Sequence, residues 1–411
     1  MSTETVTDLL QRYQQRLTGV FGSPQTVLQR GEGTRVWDAD GNEYLDMLGG
    51  IAVNALGHAH PEHAAALNAQ QNRLGHISNL FTSEPQIALA EKLLELSGAP
   101  EGSTVFFANS GSEANEAGLK AVLRHRKDTG KQRILALENG FHGRTIGALS
   151  LTHKPAYREP FGELIGPVEF LAPNDLQALE ASFEHDDVAG LFLEPVQGEA
   201  GVHALDDQYL LKARELTRSH GALLVFDEVQ TGIGRTGEWF NHLRVPGLQP
   251  DLMTLAKGLG SGFPIGGLIS YGPQVSALLS PGQHGTTFGG NPPATVAGLT
   301  TLAVIESESL LQNAREVGSQ LAEALNALDE VTAVRQYGLH LGVDLQVPGC
   351  TEPAKQLAGT ALSKHGLIIN ATGEHTLRLA PPLNISPEEA AEAVQRLTAA
   401  LADLTEKEHT P

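Results

Sequence analysis

The stretch Thr104-Val-Phe-Phe-Ala-Asn-Ser-Gly-Ser-Glu-Ala-Asn-Glu116 reads as a short apolar strand, a turn of small residues and the start of a helix. The same alternation continues on the C-terminal side. Arg133 to Leu137, Val188 to Leu193, Ala222 to Phe226, Leu252 to Ala256 and Pro264 to Tyr271 have the length and apolar make-up of strands, and Glu113 to Arg126 and Asp206 to His220 carry helical patterns. Strands alternating with helices predict an α/β body around a mostly parallel sheet. Ahead of it, Arg35 to Asp46 predicts a hairpin turning at Asp40-Gly41. Behind it, one helical pattern runs from about Pro293 through Leu328, followed by short strands and an Ala-rich helix over Pro387 to Leu404. At 411 residues the chain exceeds what one core usually supports. We therefore expect a large domain over 61–300 and a smaller α+β domain drawn from both chain ends, 1–60 and 301–411. No fixed-period repeat or low-complexity segment argues for a solenoid.

Composition narrows the partners. Hydrophobic residues make up 41% and charged residues 18% of the chain, which fits an ordinary folded protein rather than a disordered one. The net charge of -20 repels phosphate backbones and anionic membranes, so nucleic acid is not an expected partner. An anionic substrate must then be held by individual arginines, lysines or backbone amides. The single cysteine, Cys350, excludes an intramolecular disulfide and a Cys-rich zinc site, and its plainest role is packing. No apolar run has the length of a signal core or a membrane span, so a cytoplasmic protein is expected. His58, His60 and His63 cluster in sequence but bring no carboxylate or cysteine with them, and no metal site is expected. Gly232-Ile-Gly234 is too short to be a dinucleotide fingerprint.

Three places carry candidate chemistry. At Ser110-Gly111-Ser112, free amides at a helix N-terminus and a glycine that permits close approach could cradle a phosphate; a helix cap alone, with Glu113 or Glu116 in support, would also explain these residues. At Asp227, a carboxylate closes an apolar strand on the edge where α/β sheets gather ligands, and a period of two puts Val229 on its face; a strand-end cap is the plainer alternative. At Lys257, a lysine follows another apolar strand and precedes Gly258 and Gly260. Burial there lowers a lysine pKa and makes the amine a nucleophile able to form a Schiff base. Together the three are the parts needed to hold pyridoxal phosphate.

On these residues and their neighbours the sequence resembles the class III (subgroup II) aminotransferases. The motifs are Ser110-Gly-Ser-Glu-Ala-Asn-Glu116, Phe141-His-Gly-Arg-Thr145, Glu194-Pro-Val-Gln-Gly-Glu199, Asp227-Glu-Val-Gln-Thr-Gly-Ile-Gly-Arg-Thr-Gly237 and Leu255-Ala-Lys-Gly258, within a match from roughly residue 20 to 405. The resemblance implies a fold-type I homodimer with active sites shared between subunits, and pyridoxal 5'-phosphate as cofactor. It implies that Ser110, Gly111 and Ser112 hold the phosphate, that Phe141 and Val229 flank the ring, and that Asp227 keeps the ring nitrogen protonated. Gln230 would bond the ring hydroxyl and Lys257 would hold the cofactor covalently. Thr287 would reach the phosphate of the other subunit, with Thr286 near that subunit's substrate.

Substrate choice is implied by the same resemblance. Arg144 matches a carboxylate-binding arginine of the acetylornithine aminotransferases, Arg378 the arginine for the α-carboxylate of 2-oxoglutarate, and Glu199 the glutamate that masks Arg378 while the amino donor is bound. Two guanidinium groups suit a dicarboxylic keto acid. Ile51 stands where ornithine aminotransferases carry tyrosine, and Phe21 lacks the hydroxyl those enzymes present, which implies a pocket wide enough for an acylated amine. Ile51-Ala-Val-Asn-Ala-Leu-Gly-His-Ala-His-Pro61 and Ser78-Asn-Leu-Phe81 also resemble the bacterial acetylornithine enzymes. The expectation is ping-pong transfer of the δ-amino group of N2-acetyl-L-ornithine to 2-oxoglutarate, as in arginine biosynthesis. The alternatives are N-succinyl-diaminopimelate, ornithine or 4-aminobutyrate as donor, or an aminomutase such as glutamate-1-semialdehyde aminomutase.

Overall fold

Seven strands form the central sheet of the computed structural model, which describes residues 4–408. In chain order they are β1 (Thr104–Ala108), β2 (Arg133–Leu137), β3 (Val168–Leu171), β4 (Val188–Leu193), β5 (Leu223–Asp227), β6 (Leu252–Leu255) and β7 (Gly266–Ser270). They lie side by side in the order β1-β7-β6-β5-β4-β2-β3. Only β7 runs against the others, antiparallel to both β6 and β1. Every residue of β4 and β5 is buried, as expected of strands covered on both faces. Strand β3 was not expected: it is short, half-buried and carries Glu169, the profile of an edge strand with little apolar signal.

Helix α1 (Gly111–Thr129) packs its small buried residues Ala114, Ala117, Gly118 and Ala121 against the sheet. It starts at Ser110, whose Oγ accepts from the Glu113 amide, and stops at Gly130 in the left-handed region, at φ 76. Helix α2 (Asp207–Ser219) lies against β5. The crossovers leave the carboxyl ends of β1, β5 and β6 on one edge, so the segments beginning at Asn109, Asp227 and Lys257 converge there although up to about 150 residues separate them.

The long helix expected over Pro293 to Leu328 is two helices, α3 (Pro292–Ser307) and α4 (Leu310–Asn326), bent by 66°. Ser309 takes φ 55 between them, a left-handed residue no continuous helix accommodates. The two also differ in environment: α3 buries residues all round, whereas α4 buries one stripe. No single described helix is long and apolar enough to cross a membrane.

The hairpin Arg35–Asp38 and Glu43–Asp46 forms as expected, with Asp38 Oδ1 accepting from the Asp40 and Asn42 amides in the turn. Glu43–Asp46 also pairs in parallel with Leu367–Ile368, so the two ends of the chain meet in one four-stranded sheet. A second four-stranded sheet joins Val331–Tyr337, His340–Leu345, Thr376–Leu379 and Asn370–Ala371. Helix α5 (Pro387–Glu408) extends past the expected Leu404 and packs on the helix Pro353–His365.

Candidate active site

A cavity of about 360 Å³ opens over the carboxyl edge of the sheet and is lined by Ser110, Gly111, Ser112, Phe141, Asp227, Val229, Gln230 and Lys257. One side is the first turn of α1. The amides of Gly111 and Ser112 have no acceptor within the helix and stand at the positive end of its dipole. Ser110 Oγ caps the helix and Glu113 Oε2 accepts from the Asn109 amide, so the capping alternative holds for these side chains and leaves the two backbone amides for a ligand. A Cβ at Gly111 would lie 2.8 Å from Val229 Cγ1, which makes glycine necessary where this wall is tightest.

Asp227 sits at the end of β5 in a network the sequence did not reveal. Its Oδ2 accepts from Asn115 Nδ2 at 2.7 Å and pairs with His142 Nδ1 at 2.8 Å, while Oδ1 accepts from the Val229 amide at 3.0 Å. Val229 lies beyond the strand, in the turn after it, so the period-of-two argument does not apply; the turn itself brings its side chain to the cavity wall. Burial opposes a charge on His142, but its bond to Asp227 overrides this and raises its pKa. Nearby, Glu194 accepts from the Phe141 amide at 2.9 Å, and burial raises its pKa to about 8. Asn115 and His142 both stood inside motifs quoted above, but nothing in their spacing showed that they meet at one carboxylate.

Lys257 opens a short 3-10 turn, at φ 42, directly after β6. Burial pushes its amine down to about 8, with Glu199 pulling in the opposite direction. About a tenth of the amine is therefore neutral and nucleophilic at pH 7, far more than at its ordinary value. The cavity thus combines a nucleophilic amine, a carboxylate with bonding capacity to spare, two free amides for an anion, and Phe141 and Val229 on its walls. Such a site fits a phosphorylated, carbonyl-bearing heterocycle.

A larger cavity of about 970 Å³ adjoins it at Phe141, which lines both, and is lined also by Ile51, Tyr157, Gln197, Glu199, Asn370 and Arg378. Arg378 is almost fully buried; its Nη1 donates to Glu199 at 2.5 Å and to Gln230 Oε1 at 3.2 Å. Arg378 wins against burial and lowers the Glu199 pKa. Ile51 adopts φ 67 within a left-handed run from Gly49 to Ala52, whose start is tied down by Asp46 Oδ1 accepting from the Leu48 and Gly49 amides.

Of the remaining expected site residues, Arg144 borders the larger cavity through Tyr157 and Phe141, and the others lie apart. Arg144 is exposed, its guanidinium 3.4 Å from the centre of the Tyr157 ring, with no described carboxylate in ion-pair range. Thr286 accepts from Asn109 Nδ2 at 3.0 Å and faces a third cavity, Thr287 is exposed, and Phe21 is 91% exposed. A single copy of the chain does not bring Phe21, Thr286 or Thr287 to its own first cavity. Among the described residues, no group of histidine, cysteine, aspartate or glutamate side chains has the arrangement of a metal site.

Known proteins share this fold. The Bifidobacterium longum protein named acetylornithine aminotransferase is 45% identical, over 96% of this chain and 96% of its own. The solved N-acetylornithine aminotransferase of Stenotrophomonas maltophilia superposes with a TM-score of 0.81 at 36% identity, covering 95% of this chain and 99% of that one. The solved ornithine aminotransferase of Toxoplasma gondii, whose active site holds pyridoxal phosphate at partial occupancy, superposes with a TM-score of 0.91 at 30% identity, covering 99% and 96%. The α/β fold around a large, mostly parallel sheet is the frame these enzymes share, and with the family model for aminotransferase class-III matching residues 21–401, this chain belongs to the class-III aminotransferases.

Proposed function

We propose that this chain transfers the δ-amino group of N2-acetyl-L-ornithine to 2-oxoglutarate, yielding N-acetyl-L-glutamate 5-semialdehyde and L-glutamate, with pyridoxal phosphate in the first cavity. The observation that carries this reading is the buried Lys257 amine, lowered to about 8, facing a cavity that also contains Asp227 and the free amides of α1. The names of the relatives support the donor.

Bound pyridoxal phosphate supplies an electron sink for the substrate carbon. The amides of Gly111 and Ser112, at the turn made by Ser110, hold its phosphate. Asp227, with both oxygens already oriented by Asn115, His142 and Val229, keeps an acceptor for a ring N–H and favours its protonated form. Phe141 and Val229, on the cavity walls, would confine the ring, and Gln230 would bond its hydroxyl. Lys257 Nζ would hold the cofactor, and as a buried amine it would take the proton from the substrate carbon that bears nitrogen.

Arg144 and Arg378 receive carboxylates. Glu199 neutralises Arg378 while the monocarboxylate donor is bound and turns aside for the dicarboxylate acceptor. Ile51 sets the width of the donor side of the larger cavity. Thr286 and Thr287, and Phe21 with them, serve the site of a second copy in a homodimer, and the protein works in the cytoplasm.

The direct test is a spectrum. N2-acetyl-L-ornithine should convert the visible band of the bound cofactor and 2-oxoglutarate should restore it. A band unmoved by acetylornithine but moved by ornithine, 4-aminobutyrate or N-succinyl-diaminopimelate would overturn the donor, and isomerisation of an amino acid without consumption of 2-oxoglutarate would overturn the transfer.

A further inference from the structure

Asn370 presents the two ends of its amide to different surroundings. It lies directly opposite Arg378 in the sheet register, and its Oδ1 accepts from Arg378 Nη2 at 2.9 Å. A guanidinium only donates, so the amide must face Arg378 with its oxygen and point its nitrogen elsewhere. Asn370 is half-buried on the wall of the larger cavity beside Glu199 and Arg378, and no described residue accepts from its Nδ2.

The contacts of Arg378 divide by charge. Glu199 neutralises it, whereas Gln230 and Asn370 hold it without adding charge. When Glu199 turns aside, Arg378 therefore stays in place with its full charge, and a carboxylate that reaches it meets Asn370 Nδ2 on the same wall.

We propose that Asn370 is a substrate-binding residue of the acceptor site: its amide oxygen fixes Arg378, and its amide nitrogen donates to the keto-acid carboxylate seated on Arg378. The inference rests on the reading of Arg378 as the acceptor clamp. It separates the two half-reactions, because the donor binds while Glu199 still covers Arg378.

Asn370→Leu removes both ends of the amide, while Asn370→Asp keeps the size and the acceptor but replaces the donor with a negative charge. The Michaelis constant for 2-oxoglutarate should rise about tenfold in the first and at least about tenfold in the second, since a hydrogen bond to a charged group is lost in each, while that for acetylornithine stays within about twofold. Glutarate cannot turn over, and its calorimetric affinity for the cofactor-loaded protein should weaken by the same factors. An Asn370→Asp protein that folds and binds glutarate like the parent overturns the role, as does an equal rise of both Michaelis constants in either variant. A parent chain that neither consumes 2-oxoglutarate nor binds glutarate would instead overturn the reading of Arg378, a result distinct from both.

Discussion

Lys257 and Glu194 are held near neutrality by one cause with opposite consequences. Burial penalises charge, so it lowers the lysine and raises the glutamate, each to about 8. For Lys257 the consequence is nucleophilicity. Lys257→Ala should abolish both turnover and the visible band of the bound cofactor; a variant that retains the band and near-parental rates would remove Lys257 from its place in the reaction. For Glu194 the consequence is a pH-dependent stability. Between its ordinary value of 4.5 and about 8, the folded chain keeps a proton that the unfolded chain has released, so the parent loses stability as pH rises through that window. Glu194→Gln can still accept from the Phe141 amide and has no proton to lose. Urea unfolding should show parent and variant alike near pH 4.5, and the variant ahead by the order of a few kcal/mol near pH 8.5. Parallel stability profiles would mean that Glu194 is ionised in the fold.

At the scale of elements, the two ends of α1 use glycine for different reasons. Gly111 is required by space, since a Cβ would press on Val229 Cγ1 and Cγ2 at 2.8 and 3.0 Å, and a β-branched side chain in a tight turn has little freedom to move. Gly130 is required by backbone, at φ 76 with nothing within 4 Å. Gly111→Ala should weaken cofactor affinity about tenfold with an overpacking cost of about 1–2 kcal/mol, partly offset by the better helix propensity of alanine. Gly130→Ala should lower stability by about 1 kcal/mol and leave cofactor titrations unchanged. Equal effects of the two on cofactor affinity would mean that α1 responds as a whole rather than at its first turn. The same helix marks what the sequence could and could not convey. Its start was legible because Ser110 and Gly111 follow an apolar strand, and β5 and β6 were legible because they are buried on both faces. The break at Ser309 and edge strand β3 were not, since a single left-handed residue and a half-exposed four-residue strand leave almost no periodic trace. The bonds from Asn115 and His142 to Asp227 span 112 and 85 residues, distances at which only the folded topology brings side chains together.

The whole molecule carries an exposed apolar patch close to residues that its own first cavity does not use. Leu80 is 86% and Phe81 70% exposed, and their segment is tied to Thr286 by Asn79 Nδ2 donating to its backbone oxygen at 2.9 Å. Phe288, also exposed, lies beside His76 with ring centres 5.1 Å apart. Large apolar side chains this exposed and this near one another in the fold are uncommon on a monomer, and a two-fold pairing would cover them on both copies at once. Two chains of net charge -20 repel at long range, so the pairing must rest on apolar contact and should tighten as salt screens the repulsion. Phe288→Asp buries an unpaired carboxylate in that contact and should convert the protein to a monomer in sedimentation at micromolar concentration. Its cofactor affinity should fall by at least about tenfold if, as proposed, the second copy's Thr287 bonds the charged phosphate. Thr287→Val separates the two effects: it should weaken the cofactor by a similar factor and leave the dimer intact. A monomeric Phe288→Asp protein with parental cofactor affinity would confine Thr287 to a structural role and make each copy's site complete in itself.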